Sequence, residues 1–167
     1  MLRTIFWPSL AAVLAAAAMT AGPAAAEERT CRGSLGAVRV DNLRVPDGRT
    51  CTLNGTRVEG KIRVGSGATL VARRIRVIGD VQAEGARLVV VRDGSRVGGS
   101  IQIVQGRAGS VLGSRVNGDI QFFENRGRIE IRRNRVGGNL QCKENARRPI
   151  GGGNVVGGVK EDQCARL

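Results

Sequence analysis

Five arginines recur along the chain at a spacing of 19 or 20 residues, and each begins a related segment such as "RVIGDVQA" or "RVNGDIQF". They are Arg57, Arg76, Arg96, Arg115 and Arg135. A guanidinium group can hold a carboxylate or a phosphate with two parallel hydrogen bonds. The regular spacing therefore predicts a strip that binds a linear anionic polymer. The alternative is a row of arginines that simply extends into water.

The charge balance is compatible with an anionic partner. The chain has 27 basic and 14 acidic residues, which gives a formal net charge of +13. Such an excess favours association with polyanions. A GC-rich genome, which prefers arginine codons, is a competing explanation for the arginine content.

Few catalytic arrangements are compatible with the composition. The chain has no histidine and no tyrosine, which excludes Ser-His-Asp and Cys-His catalysis. Asp80 and Asp119 stand two repeats apart, or about 9.6 Å at the spacing of stacked strands, near the upper limit for an inverting carboxylate pair. With aromatic residues at only 2%, the chain has no platform for sugar rings. We expect no catalytic residue, cofactor or metal; a polysaccharide lyase or hydrolase is the alternative.

The four cysteines, Cys31, Cys51, Cys142 and Cys164, form two pairs separated by 20 and 22 residues. Four cysteines allow three pairings. Pairing within each group would link an end repeat to its neighbour. Metal binding is the alternative, but the spacing does not match paired zinc knuckles.

The period of about 20 residues also identifies the fold. Valines at 58, 77, 97, 116, 136 and 156 are each followed two residues later by glycine, and then by alternating apolar and polar residues. Alternation is typical of strands, and a fixed period is typical of solenoids. We predict an all-β fold: one right-handed parallel β-helix of about seven coils, with 19 to 20 residues per coil. Its hand is an expectation from known β-helices.

The repeat also predicts which way the side chains point. The aliphatic residues should stack inside, and Gln82, Gln102, Gln121 and Gln141 should form an outward amide ladder. The glycine after each valine should occupy a corner with positive φ. A second corner should contain Gly67, Gly85, Gly106, Asn125 and Asn145, because asparagine also tolerates left-handed backbone.

The first 26 residues have the pattern of a secretory signal. A basic start is followed by an apolar stretch and by "AAA" at 24 to 26. We expect cleavage after Ala26, a β-helix domain over 27–167, and no transmembrane segment. The mature protein should be periplasmic or secreted.

Several motifs resemble a group of short secreted bacterial proteins to which no activity is assigned. These motifs are "VPDGRTCTLNGT", "GDVQAEG", "GGNLQCKEN", "PIGGGNVVGG" and "KEDQC". The likeness covers nearly the whole mature chain. It departs from the group's pattern at Val159 and at Ile150. The resemblance implies a secreted protein and no particular chemistry.

The "V-x-G-x-I" repeat also resembles that of bactofilins, β-helices that polymerise end to end. Bactofilins typically lack a cleavable signal and disulfides in the end coils. We therefore expect an exported, non-enzymatic structural or binding module. The proposed partner is an anionic envelope polysaccharide or a phosphate-bearing polymer, with no nucleic acid; a self-assembling scaffold is the alternative.

We predict that Cys31 pairs with Cys51 and Cys142 with Cys164, with no free thiol. Peptide mapping of the non-reduced protein should recover these two linked pairs, because stacked coils bring only neighbouring repeats together. A Cys31 to Cys164 link would contradict the solenoid.

Overall fold

The computed structural model describes residues 27–167, which form one continuous solenoid of 22 short strands with no helix in that range. The predicted secretory signal, residues 1–26, lies outside the described residues. Each coil contains three strands separated by three corners. The first four coils comprise, in order, β1 (Glu28–Thr30), β2 (Ser34–Leu35), β3 (Arg39–Val40), β4 (Asn42–Val45), β5 (Thr50–Asn54), β6 (Arg57–Val58), β7 (Ile62–Val64), β8 (Thr69–Arg73), β9 (Arg76–Val77), β10 (Val81–Glu84), β11 (Leu88–Arg92) and β12 (Arg96–Val97).

Three further coils follow, and a last strand begins an eighth. They comprise β13 (Ile101–Val104), β14 (Gly109–Leu112), β15 (Arg115–Val116), β16 (Ile120–Phe123), β17 (Ile129–Arg132), β18 (Arg135–Val136), β19 (Leu140–Lys143), β20 (Ile150–Gly152), β21 (Val155–Val156) and β22 (Lys160–Asp162).

Equivalent strands stack into three parallel sheets. Sheet A has eight strands, from β1 to β22, and sheets B and C have seven each, from β2 to β20 and from β3 to β21. The prediction of an all-β parallel solenoid of about seven coils is therefore confirmed. The hand of the coil stays a prediction.

The core is the stack of inward aliphatic side chains that the alternation predicts. On sheet C, the valines of β6, β9, β12, β15 and β18 are buried. On sheet A, Ile62 pairs in register with Val81, and Val81 with Ile101. Phe122 is the largest fully buried side chain. Equal side chains at equal heights fill each layer of the interior without aromatic clusters.

The predicted role of the repeated glycine is wrong. Gly99, Gly118 and Gly138 do not have positive φ. Instead, a Cβ at Gly99 would overlap the Asp80 Oδ1 atom, and one at Gly138 would overlap the Asp119 Oδ1 atom. The glycine is required because a side chain from the preceding coil occupies the space of its Cβ.

The predicted second corner is also shifted in its later coils. Gly67 and Gly85 have positive φ as expected, at 65° and 62°. In the next coils the left-handed residue is Gln105, with φ 54°, and then Glu124, with φ 56°. The predicted residues of those coils, Gly106, Asn125 and Asn145, follow one position later and are buried.

The buried asparagines serve a different purpose from the one predicted. Asn125 Nδ2 donates to the Ile103 carbonyl oxygen at 2.9 Å and to Asn145 Oδ1 at 3.0 Å. Asn125 Oδ1 accepts the backbone N–H of Gly106 at 2.8 Å. Asparagine is selected here because it satisfies the polar backbone where the chain turns.

The predicted disulfides are confirmed. Cys31 pairs with Cys51 across coils 1 and 2, and Cys142 pairs with Cys164 across coils 7 and 8. No cysteine in residues 27–167 is free. Each bond closes a loop of about 20 residues, which stabilises the fold by roughly 3 kcal/mol in the chain-entropy account. Such bonds persist in oxidising compartments, as in exported proteins.

Replacing Gly99 by alanine should lower the free energy of unfolding by about 1–3 kcal/mol, because the new Cβ has no room beside Asp80. Gly36→Ala is the matched control, since a Cβ there meets nothing within 4 Å. Urea unfolding followed by circular dichroism measures both. Equal stability of the two variants would refute the close-approach explanation.

Candidate functional site

Sheet C places the repeated arginines in one outward row. Each of its strands from β6 to β18 is an Arg-Val pair. The strands pair in parallel, so that Arg57 lies beside Arg76, Arg76 beside Arg96, and so on to Arg135. The valine of each pair is buried, which directs the arginine outward. Neighbouring backbones in such a sheet lie about 4.8 Å apart.

The sequence prediction missed the first member of this row. Arg39 begins β3 and pairs in register with Arg57. Its spacing is 18 residues, and Asn42 stands where the other repeats have glycine, so an alignment keyed on glycine does not find it. We call the six residues Arg39, Arg57, Arg76, Arg96, Arg115 and Arg135 the arginine column. In the last coil, Val155 takes the equivalent position.

Most of the column has no ionic partner within the protein. Arg39 Nε lies 3.2 Å from Glu59 Oε1. Among residues 27–167, none of the other five column arginines has a carboxylate oxygen within 4.0 Å. Arg57 is half-buried and the rest are exposed. Five guanidinium groups are therefore available to an anionic ligand.

Two further arginines widen the positive surface. Arg74 and Arg133 are exposed at the corner between sheets B and C, both with left-handed backbone at φ 52° and 56°. Arg74 is held by a hydrogen bond of 2.7 Å from its Nη2 to Asn54 Oδ1. The positive surface thus extends from sheet C around this corner.

The candidate carboxylate pair has a structural task. Asp80 Oδ1 accepts the backbone N–H of Ser100 at 2.7 Å, and Asp119 Oδ1 accepts that of Asn139 at 2.6 Å. Between them, Ser100 Oγ accepts the N–H of Asp119 at 3.0 Å. The column thus links successive coils through side-chain acceptors at the corner between sheets C and A.

The predicted glutamine ladder forms in two sections. Gln82 Nε2 donates to Gln102 Oε1 at 3.5 Å, and Gln121 Nε2 donates to Gln141 Oε1 at 2.7 Å. Gln141 continues the second section to Glu161 Oε2 at 2.8 Å. The ladder occupies the outward face of sheet A and leaves sheet C to the arginines.

A hollow of about 810 Å³ lies beside this ladder and contains charges of both signs. Its charged lining residues are Glu28, Arg44, Asp47, Arg63 and Glu84. Arg63 Nη1 pairs with Glu28 Oε1 at 3.1 Å. Asp80 and Asp119 are not part of this lining, so the candidate carboxylate pair does not face the hollow.

A second hollow, of about 980 Å³, lies at the corner between sheets A and B. Its lining includes Arg87, Arg107, Arg126, Arg128 and Arg147 and contains no acidic residue. The sequence signal for it was weak, because these arginines do not share one repeat position.

Two other site types were checked over residues 27–167. No three His, Cys, Asp or Glu side chains in that range are close enough to hold a metal ion together. The same range contains no helix long and apolar enough to cross a membrane.

The class of the protein is a disulfide-linked parallel β-solenoid with an arginine column. No family model, curated protein or solved structure matches the chain.

Asp119→Ala should lower the free energy of unfolding by about 1–3 kcal/mol, because it leaves the Asn139 N–H without its acceptor. Asp119→Asn should be close to the wild type, since it keeps an Oδ1 atom and asparagine already fills the equivalent position at 139. Thermal and urea unfolding distinguish them. Equal losses in both variants would show that the negative charge is what matters.

Proposed function

We propose that the protein is an exported, non-enzymatic module that binds anionic polymers of the cell envelope along the arginine column. The observation that carries this proposal is the in-register row of six arginines, five of which have no carboxylate partner in residues 27–167. The partner is an anionic polysaccharide or a phosphate-bearing polymer. An exported protein meets these before it meets nucleic acid.

The geometry of the column suits a linear ligand. Its guanidinium groups are carried by neighbouring strands about 4.8 Å apart, on a surface that runs along the solenoid axis. Like charges at that spacing repel one another by about 1 kcal/mol per neighbouring pair in water. A polyanion laid along the row replaces this repulsion with attraction and releases its own counterions.

The enzyme alternative has less support. The Asp80 and Asp119 side chains are occupied by backbone N–H groups, and the hollow on sheet A has arginines among its acidic residues. A catalytic carboxylate pair needs free oxygen atoms that face the substrate.

The self-assembling alternative is also less supported. Continuous stacking needs flat, complete coils at both ends, but the last coil has only its sheet A strand, β22. The chain then turns back over the core, where Cys164 is buried and Leu167 packs against the interior. This segment covers part of the surface on which another coil would stack.

Replacing Arg76, Arg96 and Arg115 by glutamine should weaken retention on immobilised heparin. The slope of log affinity against log salt concentration should decrease by about 2, since three charge contacts are lost. Elution in rising salt measures the effect, with heparin as the probe.

The matched control replaces Arg32, Arg44 and Arg166, which are exposed and lie outside both arginine surfaces. It removes the same charge. Circular dichroism should show an intact β-fold in both variants. If both elute at the same salt concentration, the column is only a solvated face and the specific-binding proposal is wrong.

A further inference from the structure

The hollow between sheets A and B is a second basic surface, independent of the arginine column. We call it the corner groove, defined by Arg87, Arg107, Arg126, Arg128 and Arg147. All five side chains are exposed. The other residues that line it are uncharged.

Three of these arginines occupy equivalent positions in successive coils. The Arg107 backbone N–H donates to the Ala86 carbonyl, and that of Arg126 donates to the Gly106 carbonyl, both at 2.9 Å. Arg87 precedes Arg107 in the same row, because its N–H donates to the Ala68 carbonyl at 2.8 Å. The row is therefore spaced by the coil, like the arginine column.

The groove is held in place by the buried amide ladder beneath it. Asn125 lies directly before Arg126 and links three coils through Gly106, Ile103 and Asn145. A fixed backbone reduces the conformational entropy that ligand binding would otherwise cost.

Most of the positive charge in the groove is unpaired. Arg128 lies 3.3 Å from Glu130, and no other groove arginine has a carboxylate oxygen within 4.0 Å among residues 27–167. Nearby Glu124 accepts a hydrogen bond from Gln105 at 2.9 Å, and Glu144 pairs with Lys143 at 3.7 Å.

The two basic surfaces lie on different sides of the solenoid. The column is on sheet C, whereas the groove is at the corner where sheets A and B meet. Sheet A separates them on one side and sheet B on the other. A polymer that runs along one surface therefore leaves the other free for a second polymer.

We propose that the corner groove binds a second anionic polymer and that the protein cross-links polyanion chains. This activity rests on the proposed function for its other arm, the arginine column. The ligand class is the same for both surfaces: a chain with repeated sulfate, phosphate or carboxylate groups.

The test is clustering of heparin-coated beads, followed by light scattering. Three variants each lose three charges: the column variant (Arg76, Arg96 and Arg115 to Gln), the groove variant (Arg87, Arg107 and Arg126 to Gln) and the control (Arg32, Arg44 and Arg166 to Gln). Wild type and control should cluster the beads, and excess protein should disperse them again. The column and groove variants should still bind single beads but need about 100-fold more protein to cluster them.

The outcomes separate the two proposals. Clustering by the groove variant at wild-type concentrations overturns cross-linking, whatever the column does. Wild-type salt elution of the column variant instead overturns the proposed function. Sedimentation in the absence of heparin should show monomers; a wild-type dimer that the groove substitutions dissociate would also overturn cross-linking, because two copies would then supply the two arms.

Discussion

The structure depends on how the backbone is satisfied where the chain leaves a sheet. Strand pairing serves the N–H groups within the three sheets, but each corner exposes groups that the sheets do not pair. At all three corners a side chain of an adjacent coil accepts such a bond: Asn125 Oδ1 from Gly106, Asn134 Oδ1 from Ser114, and Asp119 Oδ1 from Asn139. An unpaired buried amide costs about 1–3 kcal/mol, so these ladders fix one register for the whole stack.

The same register produces the basic surfaces. A one-residue slip would reverse every side chain, which would place arginine in the core and valine in water. The penalty for burying an unpaired guanidinium far exceeds the repulsion of about 1 kcal/mol between neighbouring exposed ones. Core packing and corner ladders therefore keep like charges adjacent. The row of arginines does not need a carboxylate partner in the protein to exist.

The solenoid, the inward valines, the arginine row and both disulfides could be predicted from the sequence, because each follows from the period alone. The glycine role could not, since the glycine is required by the Asp80 side chain of another coil, and proximity between coils is invisible in a local pattern. The shift of the left-handed corner from Gly85 to Gln105 has a similar cause: the inward amide ladder claims the next position, so a residue other than glycine takes the strained backbone. Arg39 and the corner groove were missed because they lie at repeats with irregular spacing.

The ends of the solenoid show why the basic surfaces lie in the middle coils. A terminal coil has a neighbour on one side only, so it loses half of the backbone and core contacts that hold an inner coil in register. Both disulfides join an end coil to the next one, and closing each loop restricts the unfolded chain there by roughly 3 kcal/mol. The column ends at Val155 in the last coil, and the groove has its equivalent arginines in coils 4 to 6. Adjacent like charges thus fall mainly where two neighbours maintain the register, and the covalent links hold the coils where only one neighbour does.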